Sequence, residues 1–184
     1  MTESMAVEAE AALITKARAI RLLILDVDGV LTDGRLYFDS QGGEIKAFHT
    51  LDGHGIKLLQ AAGVRVGIIT GRISEMVSRR ARDLGVELVI QGREDKWHAL
   101  QEQLPALAIA PEHVACMGDD WPDLTIMNRV ALALTVPHAH PEVLQRAHWV
   151  SQHSGGQGAV REACDMILQA RGDYSTALAT YLEP

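Results

Sequence analysis

The chain has 184 residues, of which 47% are apolar and 22% are charged. These proportions are ordinary for a globular protein, and the length suffices for one domain with a sizeable core. We therefore predict a single domain over residues 1–184. The formal net charge is -7 and no basic run occurs, which disfavours a nucleic acid or a membrane surface as partner. No window approaches the roughly 20 apolar residues of a membrane span.

The N-terminal stretch and the two cysteines both favour a cytoplasmic location. Residues 1–20 carry three glutamates and lack a basic start and a long apolar run, so they do not resemble a signal peptide. Their pattern predicts a short amphipathic helix. Cys116 and Cys164 lie far apart and in no Cys-x-x-Cys motif, which is typical of reduced thiols.

From residue 22 onward, short apolar runs alternate with helical patterns. The predicted strands cover residues 22–25, 64–69, 86–90, 114–117, 130–134 and 148–150. The predicted helices cover residues 55–62, 74–84, 96–104, 123–128 and 142–147. This alternation predicts an α/β fold with a doubly wound, Rossmann-like parallel sheet. The strands are continuous apolar runs, as expected when helices cover both faces of a sheet.

Two segments depart from that rhythm. Residues 35–48 contain two short extended runs around a Gln-Gly-Gly turn, which predicts a β-hairpin projecting over the carboxyl end of the first strand. Near the C-terminus, the glycine-rich residues 155–158 precede a predicted helix. Its apolar positions on one face are Val160, Cys164, Ile167 and Leu168. We expect residues 171–184 to be a loose tail.

Polar residues follow the predicted strands. Asp26 and Asp28 follow the first strand, Thr70 follows the second, and Lys96 comes shortly after the third. The fourth strand is followed by Asp119, Asp120 and Asp123. The carboxyl ends of parallel strands meet at one edge of a sheet, where ligands bind. Carboxylates suit a hard cation, whereas Thr and Lys suit an anion.

Each of these features has an ordinary structural explanation when it is taken alone. An Asp-x-Asp-Gly sequence is often a turn, a threonine often caps a helix, and a helix lysine is usually solvated. Their joint occurrence, in this order and at strand ends, favours a functional site. It also explains why two acids are crowded at a buried strand end, since a bound cation would offset their repulsion.

The segments DVDGVLTDG, IITGR, Lys96 and GDDWPDL resemble the four motifs of the haloacid dehalogenase superfamily of phosphohydrolases. The resemblance implies that Asp26 is the nucleophile and Asp28 the general acid and base. It implies Mg²⁺ bound by the Asp26 carboxylate, the backbone carbonyl of Asp28, and Asp119. Thr70 and Lys96 would bind the phosphoryl oxygens.

The roles of two further acids, Asp120 and Asp123, stay open at this point. Either Asp120 or Asp123 supports the metal ligands from behind, or Asp123 instead stabilises the N-terminus of the following helix. The second acid, Asp28, favours phosphate ester hydrolysis over dehalogenation.

The short spacings from residue 26 to 70 and from 70 to 96 leave no room for an inserted cap domain. The chain therefore resembles the capless subclass, whose members act on large substrates or borrow a cover from a neighbouring subunit.

Three stretches resemble 3-deoxy-D-manno-octulosonate 8-phosphate phosphatases within that superfamily: residues 48–59, IITGRISEMVSRR, and residues 154–168. The match covers roughly residues 20–168. It implies a cytoplasmic, Mg²⁺-dependent homotetramer of lipopolysaccharide inner-core synthesis, with a small acidic sugar phosphate as substrate. It leaves open whether the C-terminal tail covers its own active site or that of a neighbour.

The resemblance also implies substrate contacts beside Lys96, at His49, Thr50, Leu51, Asp52, Gly53, Arg72 and Arg80. The carboxylate of a sugar acid calls for a second cation, and Arg72 and Arg80 are spaced to share one helix face. The family often has Asn-Val-Arg where this chain has residues 49–51. A substitution of that kind changes the donors offered to the sugar.

Two alternatives stay open at this point. One is a phosphatase for another acidic, nine-carbon sugar phosphate. The other is a non-catalytic tetramerisation module of sugar-nucleotide synthesis. His138 and His140 lie in a proline-flanked loop, and we do not expect them to form a metal pair.

Overall fold

The computed structural model describes residues 3–182. Residues 1–2 of the predicted N-terminal helix and residues 183–184 of the predicted tail lie outside the described residues. The strands are β1 (Leu22–Leu25), β2 (Tyr37–Phe38), β3 (Glu44–Ile45), β4 (Arg65–Thr70), β5 (Leu88–Gln91), β6 (Val114–Met117), β7 (Leu132–Thr135) and β8 (Trp149–Val150). The helices are α1 (Glu3–Arg18), α2 (Thr50–Ala61), α3 (Glu75–Leu84), α4 (Lys96–Gln101), α5 (Leu104–Leu107), α6 (Trp121–Met127), α7 (Pro141–Leu144), α8 (Ala159–Arg171) and α9 (Tyr174–Leu182).

Six strands form one sheet in the order β5-β4-β1-β6-β7-β8, and every pair in it is parallel. The chain lays down β1, β4 and β5 in one direction and then returns to lay down β6, β7 and β8 in the other. The strand order therefore reverses at β1, and such a point opens a crevice at the carboxyl ends of the strands. The predicted doubly wound parallel sheet is confirmed.

Strand β1 lies at the centre of the sheet and of the core. Its four residues are at most 1% exposed, and Leu22 pairs with Arg65 of β4 and with Val114 of β6. Helices α1, α2 and α8 pack together, while α4 and α6 form a second group. Right-handed crossovers place such groups on opposite faces of a parallel sheet, which explains why the strand is apolar throughout.

Among residues 3–182, no helix combines the length and apolar character needed to cross a bilayer.

The predicted hairpin is present as the antiparallel pair β2 and β3, in which Tyr37 pairs with Ile45. Its turn is held by the Asp39 carboxylate, which accepts hydrogen bonds from the N–H groups of Gln41 and Gly43 at 2.8 and 2.7 Å. Within residues 3–182, the interval between β1 and α2 holds a short helical turn over Val27–Leu31 and this hairpin. The expected absence of a cap in that interval agrees with the element order.

The ends of the predicted elements mostly differ from the structure by one to three residues. The strands predicted at residues 22–25 and 114–117 match β1 and β6, whereas α2 begins five residues before its predicted start. His49 provides the missing start signal, because its ring accepts a hydrogen bond from the Leu51 N–H at 3.3 Å and caps the helix. The expectation of a loose tail is wrong over residues 174–182, which form α9.

The glycine-rich loop before α8 lies directly on the loop that follows β1. The Gly156 N–H donates to the carbonyl of Val30 at 3.0 Å. A Cβ on Gly155 would overlap the backbone carbonyl of Gly29 and lie 2.9 Å from the carbonyl oxygen of Thr32. Since these are backbone atoms, they cannot move aside as a flexible side chain would. Gly155 therefore allows the two loops to touch.

Replacing Gly155 by alanine should separate these loops. We expect the free energy of unfolding of Gly155→Ala to fall by about 3 kcal/mol, the upper part of the range for overpacking a close contact. Urea denaturation followed by circular dichroism measures this change. Gln152→Ala, an exposed change in the same segment, should stay within about 0.5 kcal/mol of the parent chain. Equal stability of the two variants would show that the loops do not depend on this contact.

Candidate active site

A buried lysine and two carboxylates form the centre of the site. The Lys96 ammonium, at the first residue of α4, donates to Asp26 Oδ1 and to Asp123 Oδ1, both at 2.7 Å. Lys96 is 4% exposed, Asp26 7% and Asp123 2%. Asp26 directly follows β1, and its N–H donates to the Met117 carbonyl of β6 at 3.0 Å. The carboxylate is thus anchored by the central strand pair and oriented by the ammonium.

Burial and local charge shift the pKa values in this cluster. Burial, together with the Asp123 carboxylate, raises the pKa of Asp26 to about 7. Burial alone would lower the pKa of Lys96, but the Asp123 and Asp26 carboxylates outweigh it and hold that pKa above its usual value. The lysine is therefore a permanent cation, whereas the carboxylates compete for it.

Asp119, at the end of β6, brings a further carboxylate to the same edge. Burial, followed by the charges of Asp26 and Asp123, raises the pKa of Asp119 to about 8. Gly29 has a backbone φ of +105°, and any Cβ there would overlap the Asp119 carboxylate. The glycine of the Asp-x-Asp-Gly sequence therefore permits both the left-handed turn and the close approach of Asp119.

The two remaining acids of the GDDWPDL segment have distinct contacts. Asp120 is the N-cap of α6, and its carboxylate accepts from the Trp121 N–H at 2.8 Å. Asp123 accepts from the N–H groups of Asp119 and Asp120 at 3.1 and 3.2 Å, completing a capping box. Asp123 thus stabilises the start of α6, which is one of its two expected roles, and it also binds Lys96.

The arrangement of acids suits a divalent cation. Carboxylate oxygens of Asp26, Asp119 and Asp123 all lie within 4.8 Å of one another. One lysine is shared among them, so the cluster keeps surplus negative charge, which adds to burial in raising the pKa values of Asp26 and Asp119. Mg²⁺ prefers such oxygen ligands and usually keeps several waters and a substrate phosphate. The residues therefore fit the expected metal.

The side chain of Asp28 points away from that cluster and towards the hairpin. Its Oδ1 contacts the Lys46 ammonium, and its Oδ2 lies 3.7 Å from Arg72 Nε. Glu44 accepts from Arg72 at 2.9 Å and lies 3.6 Å from Lys46. This orientation is compatible with Asp28 offering its backbone carbonyl to a metal while its carboxyl group serves the reaction.

Sequence reasoning missed Glu44 and Lys46. A signal was available, because residues 44, 46 and 48 alternate with residues 45 and 47 in the predicted hairpin, and only the first set faces inward. A hairpin expected over the carboxyl end of β1 must direct one such set of side chains to the site. Thr70, which the sequence did indicate, is the last residue of β4. It is 3% exposed and lies beside the site.

The predicted sugar-contact residues divide into two groups. Asp52 is 1% exposed, and its Oδ1 accepts from the Arg161 N–H at 2.8 Å at the start of α8. Gly53 is also buried, and a Cβ there would overlap the Arg80 guanidinium. Arg80 donates to the His49 carbonyl at 3.1 Å and lies 5.9 Å from the centroid of Phe48. These residues form packing contacts around α2, whereas Thr50 and Leu51 are exposed.

The expectation that Arg72 and Arg80 share a helix face is wrong. Helix α3 begins at Glu75, so Arg72 lies in the preceding loop and only Arg80 is helical. Ser74, the N-cap, is extended, with φ of -149°. Arg72 faces Asp28 and the hairpin, while Arg80 faces α2. The guanidinium groups of Arg72 and Arg80 therefore lie at different places on this side of the molecule.

The histidines of the PHAHPE segment have structural contacts. His140 Nδ1 accepts from Trp121 Nε1 at 3.0 Å and from the Glu142 N–H at 3.1 Å, which caps α7. His138 lines a cavity of about 320 Å³ beside Gly29 and Asp119. In the part of the chain that the structure describes, the acidic group able to hold a metal contains neither histidine.

Comparison with known proteins gives consistent matches. Residues 88–163 match the family described as haloacid dehalogenase-like hydrolase. The 3-deoxy-D-manno-octulosonate 8-phosphate phosphatase of Salmonella typhi is 47% identical over 164 residues, covering 89% of this chain and 87% of that protein. The chain belongs to the 3-deoxy-D-manno-octulosonate 8-phosphate phosphatase family of haloacid dehalogenase-like hydrolases.

Solved structures of this phosphatase family superimpose closely. A probable YrbI-family phosphatase from Pseudomonas syringae gives a TM-score of 0.93 at 49% identity, covering 95% of this chain and 99% of that one. The 3-deoxy-D-manno-octulosonate 8-phosphate phosphatase of Moraxella catarrhalis gives 0.90 at 40% identity, covering 92% and 97%. That enzyme was crystallised with a magnesium ion, a phosphate ion and the sugar acid. The expected superfamily, phosphatase class and magnesium cofactor are confirmed at the family level.

Because of the crowded carboxylates, we predict that the stability of the metal-free phosphatase depends on pH. Asp26 and Asp119 have pKa values of about 7 and about 8 in the folded chain, against usual values near 3.8. Between pH 4 and 8 the folded state therefore binds more protons than the unfolded state, and its free energy of unfolding falls as pH rises. In EDTA we expect the Tm to fall between pH 5 and 8, by about 2–4 °C for each kcal/mol lost.

Magnesium should reverse this loss, because it binds the ionised carboxylates. Differential scanning fluorimetry should show a larger Mg²⁺-induced rise in Tm at pH 8 than at pH 5. Asp119→Asn removes one of the two groups and should flatten the pH dependence in EDTA. A parent chain and an Asp119→Asn variant with identical pH profiles would contradict this assignment of the charge.

Proposed function

We propose that this chain hydrolyses 3-deoxy-D-manno-octulosonate 8-phosphate to the free sugar acid and phosphate. The observation that carries the proposal is the buried Lys96–Asp26 pair at the reversal point of the sheet, with Asp28 and Asp119 on adjoining loops. This geometry is that of a carboxylate nucleophile beside a separate carboxyl group and a metal site. The named relatives support the choice of substrate.

In the first half of the reaction, a carboxylate oxygen of Asp26 attacks phosphorus and an aspartyl-phosphate forms. The P–O bond to the sugar breaks, and the Asp28 carboxyl group gives its proton to the leaving oxygen. Lys96 holds Asp26 Oδ1 at 2.7 Å, so the nucleophile keeps a fixed orientation during the attack. Thr70 and Lys96 offer donors to the phosphoryl oxygens.

In the second half, water attacks the phosphorus of the aspartyl-phosphate. Asp28, now ionised, accepts a proton from that water, and the P–O bond to Asp26 breaks. Phosphate leaves, and both carboxyl groups return to their starting forms. One residue thus serves as acid and then as base, which agrees with the direction of its carboxyl group towards Lys46 and Arg72.

Asp26, the backbone carbonyl of Asp28, and Asp119 would hold the Mg²⁺ ion. When bound, the ion supplies positive charge that lets an anionic carboxylate approach an anionic phosphate. Asp123 lies against Lys96 and α6, and it supports the ligands from behind. Asp120 is assigned a structural role as the cap of α6.

For the sugar acid we propose contacts from Arg72 and Arg80 and from residues 49–53. The carboxylate of the substrate calls for a cation beyond Lys96, and Arg72 is 44% exposed by side chain at the mouth of the site. Thr50 and Leu51 form the exposed start of α2 nearby, and the partly buried His49 caps that helix. Asp52 and Gly53 contribute by fixing the position of that segment against α8 and Arg80.

Phosphate release from a panel of sugar phosphates, with and without EDTA, tests the function. We expect Mg²⁺-dependent turnover with the eight-carbon acid highest, because relatives at 47% identity are phosphatases for that sugar acid. Asp26→Asn should lower turnover by more than about 10³-fold while the protein stays folded, since the nucleophile is lost. Asp173→Asn, in the turn before α9, serves as a matched control with turnover near that of the parent chain.

The same panel separates the alternatives. Preference for a nine-carbon sugar acid phosphate would reassign the substrate while keeping the chemistry. An absence of metal-dependent turnover with every substrate would sink the phosphatase proposal and favour a non-catalytic assembly module.

We further propose that the chain forms one domain over residues 1–184 and acts in the cytoplasm as a homotetramer. The outer side of the hairpin supports association, because the paired residues Tyr37 and Ile45 are 41% and 57% exposed. Exposed apolar patches of this kind are typical of interfaces. An open site without a cap also gains a cover when subunits associate.

Association is measured by sedimentation velocity. We expect a species near four times the 20.0 kDa chain at micromolar concentration. Ile45→Glu should shift the distribution towards smaller species, because it places a charge in the apolar patch, whereas Arg65→Glu at the opposite end of the sheet should not. A parent chain that sediments as a monomer would rule out the tetramer.

A further inference from the structure

Four charged side chains form a closed ring at the base of the hairpin. In order they are Asp28, Lys46, Glu44 and Arg72, so the sign of charge alternates around the ring. Lys46 contacts Asp28 Oδ1, and Glu44 Oε1 lies 3.6 Å from Lys46 and 2.9 Å from Arg72. Arg72 Nε lies 3.7 Å from Asp28 Oδ2 and closes the ring. The hairpin is thereby tied to the loops that follow β1 and β4.

Lys46 is the most buried member of this ring. Its side chain is 2% exposed, against 16% for Glu44, 18% for Asp28 and 44% for Arg72. A lysine is seldom covered this completely unless it is paired, because burying an ammonium group is unfavourable. Its charge partners are Glu44 on its own strand and Asp28 on the loop after β1.

The hairpin directs Lys46 to this place by strand alternation. Glu44 and Lys46 lie two residues apart and share one side of β3 and its extension, while Ile45 between them is exposed. The inner side of the hairpin therefore carries charges to the acid/base residue. A substrate phosphate bound at Asp26 would meet Thr70 and Lys96, whereas the ion pairs of Lys46 are with Asp28 and Glu44.

We propose that Lys46 is a positioning residue that holds the Asp28 carboxyl group in the orientation needed to act on the leaving oxygen. This inference rests on the proposed function. A carboxyl group on a short side chain can rotate, and a contact from a buried cation restricts that rotation. Glu44 keeps Lys46 in place from the other side. Loss of Lys46 should therefore weaken the acid/base step and leave phosphate binding intact.

The dependence on the leaving group distinguishes this role from a general structural one. Cleavage of a sugar phosphate expels an alkoxide-like oxygen that needs a proton, whereas p-nitrophenyl phosphate expels a weakly basic phenolate. The value of kcat/KM reports the steps up to release of that leaving group. For Lys46→Met we expect kcat/KM for the sugar phosphate to fall by about 10- to 100-fold, part of the usual contribution of acid–base catalysis.

With p-nitrophenyl phosphate, the same variant should lose less than about threefold, since its cleavage needs little help from Asp28. That activity also shows that the variant is folded and binds phosphate. Arg65→Met removes an exposed cation at the amino end of the sheet and should match the parent chain with both substrates. An equal loss with both substrates, or no loss with either, would overturn the positioning role.

A double-mutant cycle with Asp28→Asn provides an independent test. If Lys46 acts through Asp28, then Lys46→Met should produce no further loss of kcat/KM for the sugar phosphate once Asp28 is replaced. Fully additive losses would show that Lys46 acts elsewhere and would overturn the proposal. Failure of the parent chain to hydrolyse either substrate would refute the proposed function itself, which separates the two outcomes.

Discussion

The pairing of one buried ammonium with several carboxylates is the constraint on which the site depends. Lys96 lies 2.7 Å from both Asp26 and Asp123, and Asp119 adds further negative charge within reach of both acids. Without Lys96, these carboxylates would be buried and unpaired, an arrangement that is strongly destabilising. With it, the cluster still has surplus negative charge. Burial together with this imbalance raises the pKa values of Asp26 and Asp119, and the imbalance creates a place for a divalent cation.

The sheet topology makes this charge cluster possible. Asp26 and Asp119 follow the neighbouring strands β1 and β6, while Lys96 opens the helix that leads the chain back across the sheet. Each loop is short and begins at a buried strand, so the side chains are held by the core. Two glycines then bring the loops into contact. Gly29 leaves room for the Asp119 carboxylate, and Gly155 lets the glycine-rich loop before α8 contact the backbone of the loop after β1.

The hairpin has two sides with different roles in our proposals. Its inner side presents Glu44 and Lys46 to Asp28, and its outer side exposes Tyr37 and Ile45. In the proposed tetramer, the outer side would be covered by another subunit while the inner side stays on its own acid/base residue. A short β-insertion would then contribute both to assembly and to the geometry of proton transfer, although it contains neither the nucleophile nor a metal ligand.

The amino-acid sequence by itself determined the strand and helix alternation, the hairpin, and the polar residues at the strand ends. These features depend on local periodicity and on the rule that parallel strands end at one edge.

Only the tertiary structure decided which charges meet. The contact of Lys46 with Asp28 and the capping of α8 by Asp52 each join segments distant in the chain. Arg72 and Arg80 separate because they contact different segments, at Asp28 and at His49. The helical tail was also missed, because α9 has only a weak apolar pattern of its own and packs beside α8 and His54. Periodicity describes one segment at a time, whereas side-chain pairing depends on the distances that folding sets between segments.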